Sequence, residues 1–395
     1  MPELSDYLAI GAVAAVVTCV ATPIVRHLAR RIGWVAQPNA RSVHTAPIPH
    51  VGGLAMFAGF LVAIFVAWRL DRFDALFDTN TEPLGIVAAA AVMLAMGVWD
   101  DVRELPPPAK VTATVAAALI LHQSGATMFY FRIPFYDVLI LPSDWIPLVT
   151  VLWLLGMTQA INLIDGLDGL AAGITAIAAA GFFLYAWKLS SLELLAGSNV
   201  GPLIAVVTAG VAIGFLPYNF NPARIFMGDG GAFLLGTLLA VSTSVVGGRA
   251  APGTQDFVGQ TFFFFAPLVI PLLILGVPIL DTAFAFLRRV SRRQAFDVAD
   301  KGHLHHRLMN LGHGHRRSVL ILWAWTLLLT GFVLWPVLRG GNPRYLPFGM
   351  LALAIVLFTV LHPRFQKRRA IEMERVLDRP AAEQIAADRP ERSEV

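Results

Sequence analysis

Three groups of carboxylate and amide side chains and one group of imidazoles each stand at the edge of a long apolar run. Asp100 and Asp101 close a run that ends Gly97-Val98-Trp99; a stiff Pro106-Pro107-Pro108 turn follows, and Lys110 opens the next run. A carboxylate pair with an ammonium close by suits a divalent cation together with a phosphate. Neighbouring residues on a helix point about 100° apart, so the pair shares one target only if the helix ends there. A solvated helix end is the plain alternative.

Asn162, Asp165 and Asp168 recur at every third residue in Asn-Leu-Ile-Asp-Gly-Leu-Asp-Gly, which keeps them on one helical face. Gly166 and Gly169 allow a ligand or another backbone to come close. Capping of two helices is the alternative; it fits Asp168, which opens the next run, better than Asn162 or Asp165. The third group runs from Tyr218 to Gly231, with Asp229 between Gly228 and Gly230, and with Asn219, Asn221 and Arg224 nearby. A cap again explains Asp229. An oxygen-rich loop of this kind also suits Mg2+, which takes one or two carboxylates and leaves its other positions to water and phosphate. Asp229 is therefore expected to be a metal ligand. The fourth group is His303, His305, His306 and Arg307 in a basic loop that also holds His313 and His315. Thiolates and a His-Glu-x-x-His spacing are both missing there, which argues against zinc. Arg307 offers a fork of donors for phosphate, so anion binding is expected.

The elements that must position these groups belong to a membrane. Of 395 residues, 56% are apolar and 14% charged, against about a quarter charged in an ordinary soluble domain. So little charge cannot cover a soluble particle of this size, and a soluble enzyme is excluded. The single cysteine, Cys19, can form no internal disulfide. The acidic opening Met1–Asp6 does not look like a cleavable signal. Runs long enough for a span of about 20 residues lie near 6–28, 51–70, 83–99, 107–124, 146–163, 168–187, 200–219, 230–247, 260–287, 318–338 and 346–362. The ninth carries Pro267, Pro271 and Pro278 and is expected to be kinked. The reading is an all-α polytopic membrane protein of about eleven spans, with one catalytic domain over 1–362 and a partly disordered tail over 363–395. The stretch 125–146, around Pro134, is expected to form a small hairpin.

Basic residues set the orientation. Twenty-three of the 30 Lys and Arg fall on one side, in 26–50, 100–110, 219–229, 288–317 and 363–395. That side is expected to be cytoplasmic, with the N-terminus outside and the tail inside. All four polar groups fall on it, which argues for one shared site. An intramembrane aspartyl protease would need Gly-x-Gly-Asp where this chain has Phe226-Met227-Gly228-Asp229. A transporter would carry its ionisable groups near the midplane.

With these motifs in order, the chain resembles the polyprenyl-phosphate N-acetylhexosamine-1-phosphate transferases, within the bacterial UDP-GlcNAc subgroup. Asp100-Asp101 with Lys110 is similar to the family's Asp-Asp motif, Asn162 through Gly169 to its second motif, and Asn219 through Gly230 to its Phe-x-Gly-Asp segment. Arg41, His44 and Pro47 through Gly53 resemble its first cytoplasmic motif. The loop His303-Leu304-His305-His306-Arg307-Leu308 resembles the GlcNAc form rather than the form with three consecutive His of the phospho-MurNAc-pentapeptide relatives. The resemblance implies transfer of GlcNAc-1-phosphate from UDP-GlcNAc to undecaprenyl or decaprenyl phosphate, with release of UMP, at the bacterial inner membrane. It implies Mg2+, or Mn2+ in its place, held by Asp229 with Asn162 or Asp100. Lys110 would hold the lipid phosphate, while His303, His305, His306 and Arg307 hold the nucleotide diphosphate or the sugar. Asp100, Asp101, Lys110 and Asp229 are the expected catalytic set; Arg41, His44, Asn162, Asp165, Asp168 and Asn219 join the substrate-binding set. A nucleic-acid partner is not expected; self-association into a homodimer is compatible with the reading. The same chemistry on UDP-GalNAc or UDP-MurNAc-pentapeptide, and a lipid-binding or flipping protein without catalysis, are the alternatives.

Overall fold

The computed structural model describes residues 2–36, 47–132 except 79, 138–193, 195, 198–247, 308–309, 313–339, 345–359 and 361. The ninth apolar run, the tail, Arg41, His44, His303, His305, His306 and Arg307 lie outside the described residues. The described chain is helical apart from two small hairpins. Its helices are α1 (Leu4–Ile32), α2 (Gly53–Trp68), α3 (Asp74–Phe77), α4 (Glu82–Val102), α5 (Pro107–Ser124), α6 (Ile146–Ile164), α7 (Leu170–Ser191), α8 (Gly201–Asn219), α9 (Gly228–Gly247), α10 (His315–Arg339) and α11 (Leu346–Thr359). Seven of them are long and apolar enough to cross a membrane. A short 3-10 turn, Asp71–Phe73, leads into α3, and this pair bends by 92° away from α2.

Proline sits in the first turn of α4, α5, α6 and α8, where its missing N–H costs no hydrogen bond and its fixed φ suits the helix. Inside the bundle, hydroxyls have no water to bond. Thr22, Thr158, Thr208, Thr237, Ser242 and Thr330 therefore each donate to the carbonyl four residues earlier, which satisfies them within their own helix.

α8 and α9 form the centre, and both are apolar on nearly every face, the pattern of a buried helix. Small residues allow the close contacts. A side chain at Gly210 would strike the Gly11 carbonyl of α1, one at Gly214 the Ala15 carbonyl, and one at Gly236 the α6 main chain at Thr158. This is how helices pack where burial from water supplies no drive between them. On the outside, Leu8, Val16, Val20 and Ile24 of α1 and Leu346, Met350 and Leu353 of α11 are exposed, as a lipid-facing surface should be.

The expected hairpin is present. β3 (Tyr130–Arg132) pairs antiparallel with β4 (Val138–Ile140). A second hairpin, β1 (Val35–Ala36) with β2 (Ile48–Pro49), was not foreseen. It carries the chain from the end of α1 towards the start of α2.

Candidate active site

The main chain draws the α1–α2 loop onto the Asp229 loop. Phe226 N–H donates to Pro49 O at 2.8 Å, Gly52 N–H to Phe226 O at 2.9 Å and Gly53 N–H to Met227 O at 3.0 Å. Gly228, with φ +70°, turns the chain into α9; a side chain there would overlap the His50 carbonyl and the Asp101 carboxylate. Beyond it, a Cβ at Gly97 would come within 2.5 Å of Gly230 Cα, and one at Gly230 would meet Val98. The start of α9 is thus wedged between α2 and the end of α4.

That wedge separates the two α4 aspartates. α4 runs through Val102, so Asp100 and Asp101 point in different directions. Asp101 Oδ1 accepts the Asp229 N–H at 2.8 Å and its Oδ2 the Gly230 N–H at 3.1 Å. It caps α9 from another helix and complements the positive end of the α9 dipole. Asp100 Oδ1 accepts the Leu105 N–H at 2.7 Å, and its Oδ2 pairs with Lys110. Lys110 Nζ also stands 3.4 Å from Asp229 Oδ2. Asn162 lies within reach of Asp229 from the end of α6.

A cleft of about 680 Å3 opens beside Asp229. Asn162, Asp165, Asp168, Asn219 and Asp229 line it with His50 and His315; Arg26, Arg30 and Arg224 line it as well. Asp100, Asp101 and Lys110 are not among its lining. The structure thus places Asp229 between the Lys110 pair and the cleft.

Asp168 does not cap α7. Gly169, at φ +80°, holds the N-cap position, and Asp168 Oδ2 instead accepts Asn221 Nδ2 at 2.8 Å and Ala223 N–H at 3.0 Å. Asn219, 1% exposed, is used at both ends: its Oδ1 accepts the Gly169 N–H at 3.1 Å and its Nδ2 donates to Ile225 O at 3.1 Å. Asp165 accepts no hydrogen bond at its carboxylate among the described residues. It opens to the cleft on one side and is enclosed on the others. Burial first, then the Asp229, Asp101 and Asp168 carboxylates, holds its carboxyl well above the usual range.

Two imidazoles complete the lining. His50 Nε2 sits 2.8 Å from the Asp101 carbonyl, so a neutral ring carries its proton there and leaves Nδ1 as a buried acceptor without a partner among the described residues. His315, at the start of α10, is reversed: its Nε2 accepts the Asp168 N–H at 3.0 Å. Its neighbour Arg316 donates from Nε to Asn221 O at 2.9 Å. The sequence marked neither His50 nor the arginines of α1 as site residues. Arg26 and Arg30 read only as markers of the basic side, although their spacing of four places them on one face.

For a divalent cation, no group of three or more His, Cys, Asp or Glu side chains is gathered among the described residues. The donor set fits Mg2+ in its usual form, in which one or two carboxylates hold the ion and substrate phosphates complete its shell. Asp229 and Asn162, both facing the cleft, are the residues that would hold it; Asp100 is already bonded to Lys110 and Leu105 N–H.

A polytopic helical membrane protein whose polar cleft is lined by carboxylates and arginines, with a lysine behind Asp229, is a membrane-embedded enzyme acting on phosphate groups. Residues 83–247 match the glycosyl transferase family 4 model. The chain is 37% identical over 332 residues to decaprenyl-phosphate N-acetylglucosaminephosphotransferase of Mycobacterium tuberculosis, covering 82% of this chain and 80% of that protein. It is 36% identical over 325 residues to the probable undecaprenyl-phosphate N-acetylglucosaminyl 1-phosphate transferase of Bacillus subtilis, covering 81% of each. A phospho-N-acetylmuramoyl-pentapeptide-transferase of a Synechococcus strain is 29% identical, over 85% of this chain and 90% of that protein. This chain belongs to glycosyl transferase family 4.

Proposed function

We propose that the protein transfers GlcNAc-1-phosphate from UDP-GlcNAc to a polyprenyl phosphate, releasing UMP and starting a lipid-linked envelope glycan. The observation that carries this is the position of Asp229, between Lys110 on one side and a cleft with carboxylates and arginines on the other. The relatives named as N-acetylglucosamine-1-phosphate transferases support the same reading.

In this mechanism an oxygen of the lipid phosphate forms a bond to the β-phosphorus of the sugar nucleotide. The bond from that phosphorus to the bridging oxygen breaks, and UMP leaves with the oxygen. A phosphate monoester has its second pKa at about 6, so the acceptor is largely dianionic at neutral pH and needs no base. Lys110, held in place by Asp100, offers its remaining N–H groups to the acceptor phosphate. Asp165 and Asn162 bound the donor side. Bound Mg2+ would supply positive charge that offsets repulsion between two phosphates. A protein that only grips lipid phosphate has little use for Asp165 and Asp229, since both repel an anion.

The eleven-span topology, with the N-terminus outside and the site facing the cytoplasm of a bacterial inner membrane, is part of the same proposal. It rests on the distribution of Lys and Arg.

The test uses purified full-length protein in detergent with polyprenyl phosphate and Mg2+. UMP release is followed with UDP-GlcNAc, UDP-GalNAc or UDP-MurNAc-pentapeptide as donor. UMP from UDP-GlcNAc, lost on chelation and in Asp229→Asn, is the expected result. UMP from another donor alone would change the substrate, and none from any donor would sink the transfer reading.

A further inference from the structure

Three arginines line the cleft without a partner in the mechanism above. Arg26 and Arg30 lie one turn apart towards the end of α1, and Arg224 lies in the loop that leads to Asp229. The charges of Arg30 and Arg224 both act on Arg26, and the Arg26 Nε is shut off from solvent with no acceptor among the described residues. Among the described residues, none of the three makes a salt bridge, although Asp165, Asp168 and Asp229 line the same cleft.

Membrane topology and the helix dipole favour basic residues at the end of α1. Arg31 shares that last turn and stays out of the cleft, so position at the helix end does not account for the other two. Arg224 is on no helix at all. Guanidinium groups brought together repel each other unless an anion lies between them, and their forked donors match phosphate oxygens.

We infer that Arg26, Arg30 and Arg224 form a second phosphate subsite, which takes the diphosphate of the sugar nucleotide. This rests on the transfer reading, because joining two phosphates at Asp229 calls for an anion position on each side of it. Lys110 supplies one, outside the cleft lining. An apolar groove of about 540 Å3, lined by Leu54, Phe57, Leu94, Val98 and Trp99 among others, runs between α2 and α4, the helix that bears Asp100. A lipid phosphate suits the α4 side. A water-soluble nucleotide suits the polar cleft, whose size falls in the range of about 300–1,000 Å3 usual for small-molecule sites.

The experiment measures UMP release by full-length protein while each substrate is varied in turn, for Arg26→Gln, Arg30→Gln and Arg224→Gln, with Arg31→Gln as control. Each of the first three should raise KM for UDP-GlcNAc about tenfold, the scale of one lost charge-assisted hydrogen bond, and leave KM for polyprenyl phosphate within about twofold. Arg31→Gln should change neither. Thermal stabilisation by UDP, measured without turnover, should fall in the same three variants and recover in part in Arg224→Lys. A rise confined to polyprenyl phosphate would give the arginines to the lipid headgroup and overturn the assignment. Unchanged constants for both substrates, with UDP stabilisation intact, would remove the subsite. Wild-type protein that UDP stabilises through these arginines but that releases no UMP would break the transfer reading and leave the subsite standing.

Discussion

At the junction of α4 and α9, both Asp101 oxygens accept main-chain N–H groups, and glycines at 97, 228 and 230 leave no room for a side chain. At the turn between α6 and α7, Asp165 faces the cleft with no donor on its carboxylate among the described residues, and three other carboxylates act on it. Both regions present half-buried aspartate, yet the physical state of the two groups differs. A carboxylate whose two oxygens each accept a main-chain N–H stabilises the fold and is held in place by it. One left bare destabilises the fold until a cation or donor arrives. Asp168 stands between the two kinds, with the Asn221 and Ala223 donors both on its Oδ2, and Asp229, with Lys110 on one face and the cleft on the other, stands nearer the second.

Gly228→Ala should produce the largest effect, because it drives a side chain into the His50 carbonyl at a positive φ and separates the two regions. Destabilisation of about 4 kcal/mol or more is expected, read as lost yield and lost activity together; a well-folded, active variant would show that the junction has slack. Asp229→Asn should lower kcat about 10³-fold while the melting temperature holds or rises, since a like charge is removed from the floor. Asp101→Asn should do the reverse. It keeps one acceptor, loses the other, and should cost about 1–2 kcal/mol of stability, with the rate falling less than in Asp229→Asn. If Asp101→Asn matched Asp229→Asn in rate at full stability, Asp101 would belong with the bare carboxylates.

The smallest effect concerns pH. With its carboxyl held above the usual range, Asp165 takes up a proton on folding. Its contribution to stability is whole below the ordinary aspartate pKa of about 3.9 and is lost as pH rises through the raised value. Asp165→Asn should remove that loss, so the variant should melt roughly 2–4 °C above wild type at pH 8 and alongside it at pH 4. Equal melting temperatures at both pH values would mean that the carboxylate already has a partner.

Much of the helical frame can be read from the chain because long apolar runs declare themselves: ten of the eleven coincide with helices, seven helices are long and apolar enough to cross a membrane, and the ninth run lies outside the described residues. The meeting of Asp100, Asn162, Asp165, Asp168 and Asp229 was legible for a similar reason, since each stands at one end or the other of an apolar run, beside the segments that hold most of the Lys and Arg. What each one does there was less so. A neighbour's N–H decides whether an aspartate is bare, and nothing near Asp101 in sequence announces Asp229 and Gly230. Asn219, expected in the substrate-binding set, lines the cleft and also joins Gly169 to Ile225, a link the sequence did not announce. Arg26 and Arg30 carried a topological meaning strong enough to hide a second one. His50 sat in plain view within the motif Pro47 through Gly53, and only the hairpin with Val35 and Ala36 shows why it reaches Asp101.

The crowding at Gly228 bears on how an inhibitor of this protein would age in use. A compound seated against the His50 carbonyl, Gly228 and the start of α9 would rest largely on main-chain atoms, which point mutation cannot alter. Changes at Gly97, Gly228 or Gly230 would all add atoms where the helices already touch. Escape variants would have to arise on the open rim of the cleft, and a scaffold kept within the glycine-lined corner would give selection little to act on.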